Sequence, residues 1–308
     1  MAFIIFMTGG LVNLFASLNP IKVDIENGVC KIEKVNYPIV GFGTYTLTGN
    51  VCVEAVAQAA KIGYRIIDTA TSYENFDSIA KALEGQNRHN FYIISKVWHD
   101  SQSPDDLCSD LGLTLKQLQT DYLDAYLLHW PNSKVSIEKT LRTMDDLRQA
   151  KKIRHIGLSN ISVNHLKRAI EIGIPITWVQ VEMHPYFCDF ELVKFCHEHF
   201  IVVQAWAPLG RGRISQDLIL AKIGEKYGKT SSQVAIRWII QHECIPLPGS
   251  KNEKHMRENI DVNNFMLSAD EMHEIDKRAK VGERERFTKE TIGFEDEFDF
   301  SYGECWPN

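Results

Sequence analysis

Arg65-Ile66-Ile67-Asp68-Thr69 is a β-branched run that closes on an acid and a hydroxyl, and it lies between two segments of helical period, Val51–Ile62 and Asn75–Leu83. A strand set between helices is the unit of a parallel sheet. Outward from it the same unit recurs, with strands expected at Ile39–Gly43, Tyr92–Val97, Ala125–His129, His155–Ser159, Trp178–Glu182, Val202–Ala207 and Ile245–Pro248. Helical segments at Asp105–Gln119, Ile137–Gln149, Val163–Ile172, Glu191–His199 and Ser231–Ile240 separate them. Eight such strands predict an α/β fold closed as a (β/α)8 TIM barrel. An open doubly wound sheet would use fewer strands and a GxGxxG turn, which Gly41-Phe42-Gly43 does not supply.

Ahead of the barrel, Lys22–Ile25 and Val29–Ile32 flank Glu26-Asn27-Gly28, a hairpin signal that would plug the barrel's N-terminal end. Behind it, Ala269–Ala279 reads as an extra helix, followed by an acidic, aromatic tail over Phe287–Asn308. Phe298, Phe300 or Trp306 of that tail is expected to fold over the barrel mouth and shape substrate choice. Residues 1–20 read as a loosely packed extension. Their apolar run has no Lys or Arg before it, is broken by Gly9-Gly10, and is too short to span a bilayer. Residues 21–308 are then one barrel domain. With 44% hydrophobic residues among 308, the chain can bury one large core. The formal charge is −6, and no block of like charge marks a nucleic-acid footprint. Seven dispersed cysteines without a CxxC pair read as reduced thiols in a reducing, cytoplasmic compartment.

Active sites of such barrels gather at the C-terminal ends of the strands, and polar residues there carry the chemistry. Asp68 ends the second strand, Tyr73 follows in its loop, Lys96 is near the end of the third, and His129 ends the fourth. Asp68 and Lys96 each interrupt an apolar run, so both point inward and must be paired. A structural ion pair is the plain reading of those two alone. A lysine beside a tyrosine would also lower the phenol's pKa towards working pH, where a general acid is most effective. A neutral His129 could orient a substrate carbonyl. It has no second His or Cys at ligand spacing, so no metal is expected. Ser159, Asn160 and Gln180 offer groups for a planar carboxamide, although Asn160 could equally cap the next helix. Trp206 offers a flat face for an aromatic cofactor, with core packing as its alternative. Pro248-Gly249-Ser250-Lys251 lies where barrels often bind phosphate.

Four stretches resemble the aldo-keto reductase superfamily, and the likeness runs from about Gly28 to Lys280. They are Gly63-Tyr64-Arg65-Ile66-Ile67-Asp68-Thr69-Ala70 with Tyr73 and Asn75, Ser95-Lys96-Val97-Trp98, Leu127-Leu128-His129-Trp130-Pro131, and Ile156-Gly157-Leu158-Ser159-Asn160. The resemblance implies a catalytic tetrad of Asp68, Tyr73, Lys96 and His129. It places Ser159, Asn160 and Gln180 on the nicotinamide carboxamide and Trp206 against the nicotinamide ring. Thr44 would also touch the cofactor, Leu209 and Gly210 would lie over the pyrophosphate, and Ser250, Lys251, His255, Arg257, Glu258 and Asn259 would form the adenosine end. Tyr45, Trp98 and Trp130 would line an apolar substrate pocket. Phe76 and Ile161 depart from the family pattern, as do Gly249 and His255, which stand where a Lys and an Arg commonly hold a 2′-phosphate.

The reading is therefore a monomeric reductase of small aldehydes or ketones, without nucleic-acid or membrane partners. It would use NADPH, with NADH possible, because no acid in Gly249–Asn252 repels a 2′-phosphate. A cofactor-binding accessory barrel with little turnover is the alternative. A barrel hydrolase would leave Tyr73 and Lys96 without a role.

Overall fold

The computed structural model describes residues 21–132 and 134–280; the expectations for the N-terminal extension and the aromatic tail lie outside these residues. Strands β1 (Ile21–Asp24), β2 (Val29–Ile32) and β3 (Val35–Pro38) form an antiparallel meander. Asp24 pairs with Val29, so the turn holds residues 25–28. Within it, the Asp24 carboxylate accepts from the backbone and side-chain N–H of Asn27 at 2.9 and 2.8 Å, and Gly28 takes a φ of 64°. The third strand was not legible: it is four residues long, ends on proline, and buries only Tyr37.

The barrel then follows as β4 (Phe42–Gly43), α1 (Gly49–Ile62), β5 (Ile66–Asp68), α2 (Phe76–Ala82), β6 (Tyr92–Val97), α3 (Pro104–Gln117), β7 (Leu123–Leu128) and α4 (Ile137–Gln149). It continues through β8 (Ile153–Ser159), α5 (Val163–Glu171), β9 (Trp178–His184), the short β10 (Phe187–Cys188), α6 (Phe190–Glu198), β11 (Val202–Trp206), α7 (Leu218–Glu225), α8 (Ser231–Gln241), β12 (Ile245–Pro246), α9 (Glu253–Ile260) and α10 (Ala269–Lys280). The parallel strands run in the order β12-β11-β9-β8-β7-β6-β5-β4, with β10 folded back on β9. β6, β7 and β9 are buried at every position, as parallel strands are when helices cover one face and the lumen the other. None of the described helices is long and apolar enough to cross a membrane.

The first and eighth strands meet at a seam. Gly41 N–H donates to Pro246 O at 3.0 Å and Gly43 N–H to Pro248 O at 3.1 Å. A Cβ on Gly43 would stand 2.7 Å from Leu247 O, and one on Gly249 would stand 2.6 Å from Gly43 O. The glycines of the first strand therefore serve closure, since no side chain fits between backbones this close.

The meander packs on the N-terminal ends of the strands. Tyr37 meets Tyr92, the first residue of β6, edge-on at 5.7 Å between ring centroids. Trp178 Nε1 donates to the Tyr92 hydroxyl at 2.9 Å, and His155 Nδ1 lies 2.7 Å from the same oxygen. Arg237 of α8, itself buried, donates to Ile25 O at 3.3 Å. That end is filled, so the strands' C-terminal ends form the open face.

Burial pushes the His155 imidazole down to about 4, and the same holds for His165, whose Nδ1 closes the capping box of α5 with Ser162. Both rings are neutral in the fold. In the unfolded chain they would take up protons near pH 6.5, so stability should fall as the pH drops from about 6.5 to about 4, by roughly 1.4 kcal/mol per unit of displaced pKa for each ring. Urea unfolding across that window, in the wild type and in His155→Gln, checks this. The substitution should flatten part of the slope; an unaltered slope would exclude His155 as a source.

Candidate active site

The open face brings the four expected residues together. β5 delivers Asp68 as its last residue, and the 3₁₀ turn Thr71–Tyr73 directly after it carries Tyr73 back over the barrel. β6 delivers Lys96, which is fully buried, and His129 follows the end of β7. Lys96 Nζ lies 2.9 Å from both carboxylate oxygens of Asp68, 2.9 Å from Thr69 O and 3.4 Å from the Tyr73 hydroxyl. An ammonium has three hydrogens, and here each has an acceptor. The Tyr73 ring sits between Tyr45, at 5.1 Å, and the edge of His129, at 5.6 Å, and Trp98 closes on the other side of His129 at 5.0 Å.

The electrostatics differ from the expectation for the phenol. Burial pushes the Tyr73 hydroxyl well above its ordinary value, and the Asp68 carboxylate pushes it further. Lys96 does not reverse this, because its charge is matched at contact by Asp68, and burial lowers the ammonium's own pKa. Tyr73 is therefore a phenol at any physiological pH. His129 is held neutral, first by burial and then by the positive charge of Lys96. Its Nδ1 is buried and has no hydrogen-bond partner among the described residues. A neutral imidazole carries one hydrogen, and with that hydrogen on Nε2 the ring would present a donor to the pocket.

Around this centre the remaining candidates divide. Asn160, with a φ of 56°, does not cap α5; Ser162 does. Instead, Asn160 Nδ2 donates to His129 O at 2.9 Å and its Oδ1 accepts from Trp206 Nε1 at 2.9 Å, so one amide ties the end of β7 to the end of β11. Ser159 donates to Gln180 O at 2.8 Å, and Thr44 donates to Asp68 O at 2.9 Å from a fully buried position. Gln180 Nε2 donates to Asp68 Oδ1 at 2.7 Å. Tyr45 and Trp98 keep open surface, whereas Trp130 is buried. Leu209 and Gly210 lead into a loop whose Arg211 guanidinium stands 5.7 Å from the Tyr45 ring centroid.

Asn252 caps α9, accepting from the backbone N–H of Lys254 and His255. Arg257 is tied to Glu253, one turn back, by two N–H donors at 2.9 and 2.7 Å, and Lys254 stands 3.7 Å from Glu258. Asn259 is buried on the inner face of the helix. Lys251 and His255 are exposed at its start.

Two further residues support the cluster: Asp110, which had no sequence signal that distinguished it, and Asn75, which belongs to the first of the stretches that carry the family resemblance. Asp110 on α3 is buried, accepts from the hydroxyls of Tyr126 and Thr71, and so anchors the turn that carries Tyr73. Thr71 Oγ1 also lies 3.1 Å from Lys96 O. Asn75, fully buried, donates to Leu47 O at 2.9 Å and accepts from Thr69 at 2.7 Å, which stitches the loops after β4 and β5 together. Asp110 occupies a polar position in an amphipathic helix, where a solvated face is the ordinary reading.

An eight-stranded barrel with a Tyr–Lys–Asp–His cluster at the C-terminal ends of neighbouring strands defines an oxidoreductase class. Residues 40–280 match the Aldo/keto reductase family, and the chain belongs to it. The glyoxal reductase of Bacillus subtilis is 36% identical over 267 residues, which cover 84% of this chain and 94% of that protein. Among solved structures, the aldose reductase of Schistosoma japonicum superposes with a TM-score of 0.80 at 30% identity, covering 88% of this chain and 97% of that one. The aldo-keto reductase of Bombyx mori, solved in complex with NADP, superposes with a TM-score of 0.74 at 29% identity, covering 80% and 90%.

Removing Lys96 alone strands a buried carboxylate, so Lys96→Met should cost about 3–5 kcal/mol of stability. Adding Asp68→Asn to it should restore part of that loss, because the uncompensated charge is gone. Urea unfolding of the two single variants and the double variant reads the coupling directly. A double variant no more stable than Lys96→Met would contradict the pairing.

Proposed function

We propose that the protein reduces small aldehydes or ketones to alcohols, with NADPH as preferred cofactor and Tyr73 as proton donor. The observation that carries the proposal is the direction of the hydrogen bonds at Lys96. Its three hydrogens are committed to Asp68, Thr69 O and the Tyr73 oxygen, so Tyr73 accepts from behind and its own hydrogen points to the pocket. Burial keeps that hydrogen in place, and a carbonyl oxygen gaining negative charge is the acceptor it suits. His129, neutral and protonated on Nε2, adds a second donor to the same oxygen and so orients it. Tyr45 and Trp98 bound the space for the carbonyl's substituents.

The residues present fit a nicotinamide nucleotide. Trp206 ends β11 with its ring partly open and its indole N–H held by Asn160, which fixes the plane on which a flat ring would lie. Both N–H groups of Gln180 are used within the protein, which leaves its carbonyl as an acceptor for a carboxamide. When bound, the reduced nicotinamide supplies a hydride to the carbonyl carbon. At the other end, Ser250, Lys251 and the capped first turn of α9 would hold the adenosine phosphate. Lys251 has no carboxylate partner among the described residues, whereas Arg257 is already neutralised by Glu253. A preference for NADPH should accordingly rest on Lys251 and be modest.

The experiment is turnover of methylglyoxal and a generic aldehyde, followed by NADPH or NADH absorbance. One charge-assisted contact is worth roughly 1.5–3 kcal/mol, so kcat/KM should favour NADPH by about ten- to a hundredfold, and Lys251→Ala should remove most of that margin. Tyr73→Phe should lower kcat by about a hundredfold or more while cofactor affinity stays within twofold. Cofactor binding without turnover of any carbonyl would favour an accessory role, and wild-type turnover in Tyr73→Phe would refute the proton donor.

A further inference from the structure

Gln180 on β9 and Gln204 on β11 stand opposite one another in register. Gln180 Nε2 donates to Asp68 Oδ1 at 2.7 Å and to Gln204 Oε1 at 2.9 Å, so a continuous line of hydrogen bonds runs Gln204, Gln180, Asp68, Lys96, Tyr73. A primary amide has two hydrogens and one carbonyl oxygen. Both hydrogens of Gln180 are spent inside the barrel, and only its carbonyl is left to face a ligand.

Gln204 is the unusual member. It is fully buried, its carbonyl is turned to Gln180, and its Nε2 has no hydrogen-bond partner among the described residues. Turning the amide over would gain nothing, because it would set one NH₂ group against another. A buried donor left unpaired is costly, so stability alone would favour an apolar residue at 204, like the Val203 and Ala205 on either side of it. What Gln204 provides in return is the acceptor for the second hydrogen of Gln180. Without it, that hydrogen is free, and the Gln180 amide can present a donor to the pocket as readily as an acceptor.

We propose that Gln204 is a positioning residue: together with Asp68 it locks the Gln180 amide so that Gln180 Oε1 meets the carboxamide N–H of the nicotinamide. This rests on the NADP(H)-dependent reading above. It gives the barrel floor a selectivity that no residue touching the cofactor would have alone, namely for a pyridine ring bearing an amide N–H over one bearing a plain ketone.

The test is binding, read by quenching of protein tryptophan fluorescence, of NADP⁺ and of its 3-acetylpyridine analogue, in which a methyl group replaces the amide nitrogen. The wild type should bind NADP⁺ more tightly than the analogue. Gln204→Met should weaken NADP⁺ about tenfold, the worth of one hydrogen bond, and leave the analogue within twofold of its wild-type Kd. Gln204→Glu retains an oxygen for Gln180 and should keep the wild-type ratio. Should Gln204→Met fail to fold, Gln204→Thr, too short to reach Gln180, makes the same comparison. Equal weakening of both nucleotides, no change in either, or loss of the ratio in Gln204→Glu would overturn the role of Gln204. If the wild type binds neither nucleotide, it is the cofactor assignment that fails.

Discussion

The buried ion pair between Asp68 and Lys96 is the constraint on which the rest of the open face depends. An ammonium and a carboxylate removed from water must each find a full set of partners, or the fold loses several kcal/mol. Lys96 meets that demand with Asp68, Thr69 O and the Tyr73 hydroxyl; Asp68 meets it with Lys96 and Gln180. The pair thereby fixes two loops and two strands at once. Thr44, which donates to Asp68 O, and Asn75, which holds Thr44 O, extend the same network into the loop after the first barrel strand.

Because the pair is internally neutral, its field at Tyr73 is that of a close dipole and not that of a free cation. Burial then decides the state of the phenol, which stays protonated. In the reaction proposed above, such a phenol would release its hydrogen only when a strong acceptor develops beside it, as at a carbonyl oxygen during reduction. His129, kept neutral by the same burial and the same lysine, stands against the Tyr73 ring without bringing a net charge to the site.

Much of this architecture is legible in the sequence. Alternation of β-branched runs with helical period located the barrel strands, since buried parallel strands must be apolar throughout and any polar residue within one stands out, as Asp68 and Lys96 do. What was not legible depends on long-range closure. The two-residue strands at Phe42–Gly43 and Ile245–Pro246 are shorter than their apolar runs because the seam is made by glycine backbones. α7 and α9 escaped because one begins on the exposed pair Leu218 and Ile219, and the other buries little besides Met256 and Asn259. At the site, residue type indicated that Lys96 and Tyr73 belong together but not which influence sets the phenol's pKa. That sign depends on how nearly Asp68 cancels the lysine, a matter of ångströms. Asp110 and Gln204 were invisible for the same reason: each looks ordinary on its own element, and only packing brings it to the tetrad.

The claim that burial, with the lysine neutralised, keeps Tyr73 a phenol is tested most directly by ultraviolet difference titration of the wild type against Tyr73→Phe. The tyrosine missing from the variant should contribute no tyrosinate absorbance at any pH up to 10. A phenolate signal assigned to Tyr73 that appears near pH 8 would contradict it and return the lysine to the dominant role.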